Sequence, residues 1–331
     1  MRIKLTNILI VFSILFVILS SALSSFYLIG FSPDFLDYAS HYENTRQGLD
    51  FIDQRFEPVY YYLVAFFSSV VHLDFNFFVF IILIFSISAK LYAVYSWNYR
   101  KLLLFLFLYL NTSYIIYDIV SLRVNLSVSF FILSIYFSLR KKHTPFLIFL
   151  LLSIGSHYSS LLLYFVFLLS FNFRNKSKFT LMTLAVLLYF TSYLLLELAL
   201  TLNINPLLSI YVTEAEKAPD IFSFNNLFIS FLFIVLFSFF DKVNENLRVL
   251  WLTSFYLFLI SNSLSSAPII YFRYIDPSLL MLIIYIVSVK NCYGFRVRYY
   301  FGVIGISIFS IYKVISTLYL NPILNSSSYI V

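Results

Sequence analysis

The stretch "DIVSLRVNLSVSFFILSIYFSLRKK", residues 118–142, sets a condition that the rest of the chain must meet. Its apolar run already ends on a basic anchor, Arg140, Lys141 and Lys142, yet Arg123 stands at its head. An arginine at a bilayer centre costs roughly 2.5–3.5 kcal/mol on insertion scales, so a chain that keeps one near lipid needs a partner or a task for it.

The composition around that stretch is that of a chain in lipid. Of 331 residues, 61% are hydrophobic and 11% charged, a balance that no water-soluble domain of this size carries on its surface. Apolar stretches of about 17–22 residues recur, each long enough at about 1.5 Å per residue to cross a hydrocarbon core of about 30 Å. The expected fold is all-α: a polytopic integral membrane protein of about 10 to 12 transmembrane helices, including a short hairpin, plus one interfacial or re-entrant helix. Residues 1–331 are expected to form a single transmembrane domain. The single Cys292 excludes an internal disulfide and a cysteine cluster, and His41, His72, His143 and His157 lack the i, i+4 spacing of a ligand pair, so no metal is expected. The net charge of +7 is spread in short clusters between apolar runs, which reads as a topology signal and not as a nucleic-acid-binding face.

Those clusters, Arg2/Lys4, Arg100/Lys101, Arg140–Lys142, Arg174/Lys176/Lys178, Lys242/Arg248 and Lys290/Arg296/Arg298, belong on the cytoplasmic side together with the N-terminus. Spans are expected near 7–29, 76–96, 101–119, 122–139, 179–200, 223–240, 249–265, 269–289 and 299–320. The first of them reads as a retained helix, not a cleaved signal peptide. A full span at 58–73 would reverse the sidedness of Arg100, so that segment is read as the interfacial or re-entrant helix on the outer face. Residues 144–171 begin and end at cytoplasmic clusters and form the short hairpin, turning at "GSHYSS", residues 155–160, with His157 at the outer tip. Two acidic loops, 30–57 and 201–222, then lie outside. With six glycines and 21% aromatic residues, helix contacts are expected to rest on aromatic and aliphatic packing.

Three cation-capable side chains fall at one depth. Arg123 lies 17 residues before Arg140, Arg273 lies 17 before Lys290, and His157 lies 15 beyond Lys142, so each stands about 25 Å from its basic anchor. Snorkelling, or neutralisation by Asp118 or Asp276, explains either arginine alone. A shared level beside an acidic loop favours a site, because guanidinium groups suit the bidentate binding of a diphosphate at the membrane surface. Lys90 is read as structural, its ammonium snorkelling to the basic side. A sugar linked to a polyprenyl diphosphate matches the combination of a lipid tail, an interfacial diphosphate and an outer glycan. For glycosyl transfer a carboxylate or histidine acts as general base while cations stabilise the departing diphosphate. No DxD pattern occurs, so neither metal nor other cofactor is expected.

At this point the chain resembles the EpsG family of Wzy-like bacterial polysaccharide polymerases. "PDFLDYASHY" is similar to the family's acidic loop with Asp followed by Tyr, through Asp34, Asp37, Tyr38 and Tyr42, and "EPVYYYL" supplies Glu57 and Tyr60. The family's Arg-Gln-x-x-Ala element, lysine-rich turn and His-x-Ser element resemble Arg123, residues 140–142, His157 and Ser159 in order. The chain departs at Val124 and Ser127, where the family carries Gln and Ala, and Asn125 is the candidate to replace that Gln. "YFRYIDP" resembles the C-terminal Arg element through Arg273. The resemblance implies a glycosyltransferase that joins undecaprenyl-diphosphate-linked repeat units at the outer face of the bacterial inner membrane. Asp37 and His157 are then the catalytic candidates. Arg123, Arg273, Asp34, Tyr38, Tyr42, Glu57 and Ser159 are the substrate-binding candidates. The partners are the lipid-linked glycan, membrane lipid, a chain-length regulator and a flippase. Two other classes stand beside it: a flippase for the same lipid, which needs polar residues through the bilayer midplane, and an acyltransferase, for which only His143 offers a base near a cytoplasmic donor.

Overall fold

Arg123 opens helix α6, Leu122–Leu139, and that helix is the axis of the first half of the protein. The computed structural model describes residues 5–32, 34–49, 56–114, 120–202, 221–289, 296–316 and 318. All regular structure among them is helical: α1 (Leu5–Leu23), α2 (Phe35–Arg46), α3 (Pro58–Ala65), α4 (Phe75–Asn98), α5 (Leu102–Thr112), α6, α7 (His143–Ser156), α8 (Ser160–Phe173), α9 (Lys178–Thr201), α10 (Phe224–Phe237), α11 (Glu245–Ser263), α12 (Pro268–Ser288) and α13 (Arg296–Ile315). Six of the described segments are long and apolar enough to cross a membrane. The expectation of an all-α, polytopic membrane protein holds.

Both irregular segments have the lengths that the basic clusters demanded. α3 continues as π-helix over Phe66–Val70, eight residues and then five, a rod of about 20 Å that falls short of a hydrocarbon core. Residues 144–171 divide into α7 and α8, fourteen residues each, and the break at His157–Ser159 sits where the turn is expected. The loop at 30–57 is not loop throughout, because α2 occupies its first half. The second polar loop lies almost wholly outside the described residues.

Two compact units divide the chain, residues 1–161 with 311–331, and 162–310. In the first, α6 packs on α4 and α7, and 78% of its span is buried, against 33% for α1. Tyr38, Tyr60, Phe78, Leu122 and Leu126 share its core. Lys141, at φ 59°, takes the left-handed conformation that turns the chain from α6 into α7. In the second unit α12 is likewise 78% buried, α9 only 17%, and α11 packs on both. Serine and asparagine caps start helices there: the Ser177, Ser223 and Asn244 side chains accept the backbone N–H of Thr180, Asn226 and Leu247. Arg174 pairs with Glu245 at 3.0 Å and Lys178 with Asp241 at 2.7 Å, which ties two of the basic clusters together.

Two expectations from the sequence are corrected. Helix contacts do not rest on apolar packing alone. Ser127 Oγ donates to the Ser153 carbonyl at 3.0 Å and Ser153 Oγ donates back to the Ser127 carbonyl at 2.8 Å, locking α6 to α7. Ser254 and Ser278 repeat the device between α11 and α12, at 2.6 and 2.7 Å. Small hydroxyl residues let helix backbones approach closely while satisfying their polar atoms in lipid. Lys90, second, does not snorkel. It is fully buried, and its Nζ donates to Asn125 Oδ1 at 2.6 Å and to the Tyr109 hydroxyl at 2.9 Å. Position 90 shares the inward stripe of α4 with Leu83, Ser86, Ile87 and Val94, so its stem points at α6.

Ser127→Ala removes one member of a reciprocal clamp. Interhelical hydrogen bonds in membrane proteins contribute about 0.6 kcal/mol on average and up to about 1.7. The expected loss lies in that range, read as the unfolding free energy in detergent micelles, and Ser153→Ala in the same background, which removes the second bond to the Ser127 carbonyl, should add a loss of the same order.

Candidate functional site

Three helix ends from distant parts of the chain converge beside α2. Pro58 at the first position of α3 forces its predecessor out of the helical region, and Glu57 accordingly has φ −69°, ψ 149°. The Glu57 carbonyl begins the helix by accepting the Tyr61 N–H at 3.0 Å, while its side chain stays off the helix. At the far end of α7, His157 leaves the helix in extended conformation. Gly155 makes that approach possible, since a Cβ there would lie 2.5 Å from Val59 Cγ2 on α3. Arg123 projects from the first turn of α6.

Glu57 joins the other two. Its Oε2 accepts from Arg123 Nη1 at 2.9 Å, and its Oε1 stands 2.6 Å from His157 Nδ1. The carboxylate and imidazole are buried, at 8% and 9% side-chain exposure, whereas the guanidinium keeps 25%. Of the three, the arginine side chain is the most exposed. Burial pushes the Glu57 carboxyl up, but the His157 hydrogen bond and the His157 and Arg123 charges together outweigh it and hold the carboxyl below the usual carboxylate range. With Nδ1–H donated to Glu57, a neutral imidazole carries its lone pair on Nε2. Nε2 is buried and makes no hydrogen bond among the described residues.

Aromatic rings wall the ion cluster. The Arg123 guanidinium lies 4.8 Å from the Phe56 ring and 5.8 Å from that of Tyr38, distances at which a cation is attracted by a ring face. His41 stacks on Phe56 at 3.9 Å, and Tyr60 stacks on Phe56 at 5.7 Å. Burial raises the Tyr38 phenol, against the opposing pull of Arg123, so the ring stays neutral. Tyr42, pushed up to about 12 by burial, donates to the Leu73 carbonyl at 2.8 Å and braces α2 against the start of α4.

Of the residues singled out from the sequence, Glu57, Arg123, His157 and Tyr38 come together, and Ser159 stands half-buried two residues beyond the histidine. Tyr42 lies one turn along the same buried face of α2. Asp34 and Asp37 fall on the exposed side, because the inward stripe of α2 runs through Tyr38, His41, Tyr42 and Thr45. Arg273 is a half-buried residue of the second unit. Asp118 and the acidic residues at 214, 216 and 220 lie outside the described residues. The sequence reading missed Phe56 and His41 as walls of the cluster. His41 carried a signal, since it lies three residues past Tyr38 and so shares its helical face. It also missed Asn125 as the acceptor for Lys90.

A model described as the EpsG family matches residues 8–330, nearly the whole chain. No curated protein matches the chain, and no solved structure does.

Two outcomes test this arrangement. Gly155→Ala should separate α7 from α3 and lower the thermal midpoint, and Val59→Ala in the same chain should restore it by removing the β-branched methyl that the new Cβ meets. Glu57, with its folded pKa depressed, contributes stability that is present above the ordinary carboxylate value of about 4.3 and is lost as pH falls through the lower folded value. Infrared difference spectra of wild type against Glu57→Gln should therefore show an ionised carboxylate at pH 5, the protonated band growing in only below the ordinary value.

Proposed function

Since the chain belongs to the EpsG family of Wzy-like polysaccharide polymerases, we propose that it transfers a glycan chain from one undecaprenyl diphosphate to the non-reducing end of another lipid-linked repeat unit. The reaction takes place at the outer face of the bacterial inner membrane, with the N-terminus in the cytoplasm. The single observation that carries the reading is the buried Glu57 carboxylate that holds Arg123 and His157 at once.

The chemistry follows from that geometry. The acceptor hydroxyl oxygen bonds to the donor's anomeric carbon as the anomeric C–O bond to phosphate breaks, and the electron pair leaves with the diphosphate. The hydroxyl proton passes to His157 Nε2, the nitrogen that the Glu57 contact leaves with a lone pair. Glu57 stabilises the resulting imidazolium. Arg123, anchored by Glu57 and partly exposed, meets the charge developing on the diphosphate. Ser159 joins in holding the diphosphate, and Arg273 stands as a separate substrate-binding candidate of the second unit. Tyr38 and Tyr42 support the sugar-facing wall, and Asp34 and Asp37 on the exposed side of α2 contact the acceptor glycan, Asp37 as second candidate base. A chain-length regulator and a flippase work beside it.

Lys90 gives the flippase reading its one support, because an ionisable group buried within a span marks a transport path in many carriers. Deletion of the gene, complemented with wild type or variants and read as surface glycan on a gel, separates the two. A polymerase predicts single repeat units on the carrier or core with Arg123→Ala, Glu57→Gln or His157→Ala. Loss of a general base reduces turnover about 10²–10⁴-fold, and Arg123→Lys should also fail because it keeps charge without the fork. A flippase predicts loss of every outward-facing unit. Normal chain lengths in His157→Ala would move the base to Asp37.

A further inference from the structure

At the opposite end of α4 from the Glu57 cluster, α1 and α4 leave a groove between them. It encloses about 540 Å³ and is walled mostly by apolar side chains, among them Ile14, Leu91 and Leu102, with Ser88 on α4. The aromatic core beside that cluster packs against α4 at Phe78–Leu83, and the groove runs from Ile84 to Tyr95, about 10–25 Å further along the helix from Phe78. It belongs to the other leaflet. The volume falls within the range of about 300–1,000 Å³ usual for small-molecule sites.

Cations gather at one end of it. Leu102 lines the groove, and Arg100 and Lys101 precede it directly in the sequence. Tyr92 in the wall meets Tyr136 edge-on at 5.4 Å, and the Arg140 guanidinium lies 4.7 Å from the Tyr136 ring. Arg140 Nη2 donates to the Ser96 carbonyl at 3.1 Å, which fixes that cation beside the last turn of α4. An apolar slot in a membrane-facing surface, capped by three basic residues at the interface level, has the charge and shape complementarity of an anionic lipid.

We propose that the groove between α1 and α4 binds one acyl chain of an anionic phospholipid, whose phosphate rests against Arg100, Lys101 and Arg140. The inference depends on the membrane fold and not on the polymerase reading. Its place in the leaflet opposite the Glu57 cluster separates it from the reacting lipid-linked glycan.

Native mass spectrometry of the full chain, with phosphatidylglycerol or phosphatidylcholine added at equal concentration, tests it. The expected result is one retained phosphatidylglycerol, on the order of tenfold above phosphatidylcholine. Ser88→Phe, which fills the groove from an exposed position on α4, should abolish the adduct with either lipid, and Ile14→Trp should do so from the facing wall. The pair Arg100→Ala with Arg140→Ala should keep an adduct but erase the headgroup preference. Equal retention of the two lipids by wild type would overturn the assignment, as would loss in only one of the two filled variants. Displacement of the adduct by equimolar polyprenyl phosphate would overturn it in favour of the substrate carrier.

Discussion

A single buried carboxylate, that of Glu57, holds the organisation of the first unit together. Taken out of water alone, such a group carries a desolvation penalty of several kcal/mol, and removing one member of a buried pair typically destabilises by about 3–5 kcal/mol. Glu57 answers that penalty with two donors, Arg123 at 2.9 Å and His157 at 2.6 Å. Each donor comes from a different helix, so satisfying one charge fixes the meeting of α3, α6 and α7. The same contact orients an imidazole and anchors a guanidinium.

Everything around Glu57 serves the placement of α6. Its Leu122 and Leu126 enter the shared core, Ser127 clamps α7, and Asn125 receives the Lys90 ammonium from α4. These contacts leave the helix on different sides, so a shift or rotation would break at least one polar bond that lipid cannot replace. Arg123, one turn before Ser127, inherits that rigidity. In the proposed transfer, a cation held by a rigid helix meets developing negative charge without reorganisation. The recurrence of a serine clamp between α11 and α12 shows the second unit built on the same principle around its own buried span.

Much of this was legible in the sequence. The demand that Arg123 have a partner, the shortness of the 58–73 helix and the break at residues 157–159 all followed from charge position and the length of a helix needed to cross lipid. Arg123 and His157 were placed at one depth by counting residues from basic anchors, and the structure joins them through one carboxylate. Lys90 was misread for a definite reason: its distance from the end of α4 permits snorkelling, and only the direction of its side chain, set by the inward stripe of that helix, forbids it.

The sequence by itself determined the solvent and the helical class, because hydropathy, charge spacing and rise per residue act along one dimension. Tertiary structure alone decided which acidic residue answers Arg123. Many carboxylates in and after the first polar loop were chemically equivalent on paper. Glu57 was selected because Pro58 frees its side chain at a helix start and Gly155 lets His157 approach it, and Asp37 was turned outward by the register of α2. Partner choice depends on where helix faces point, and that is a property of packing in three dimensions.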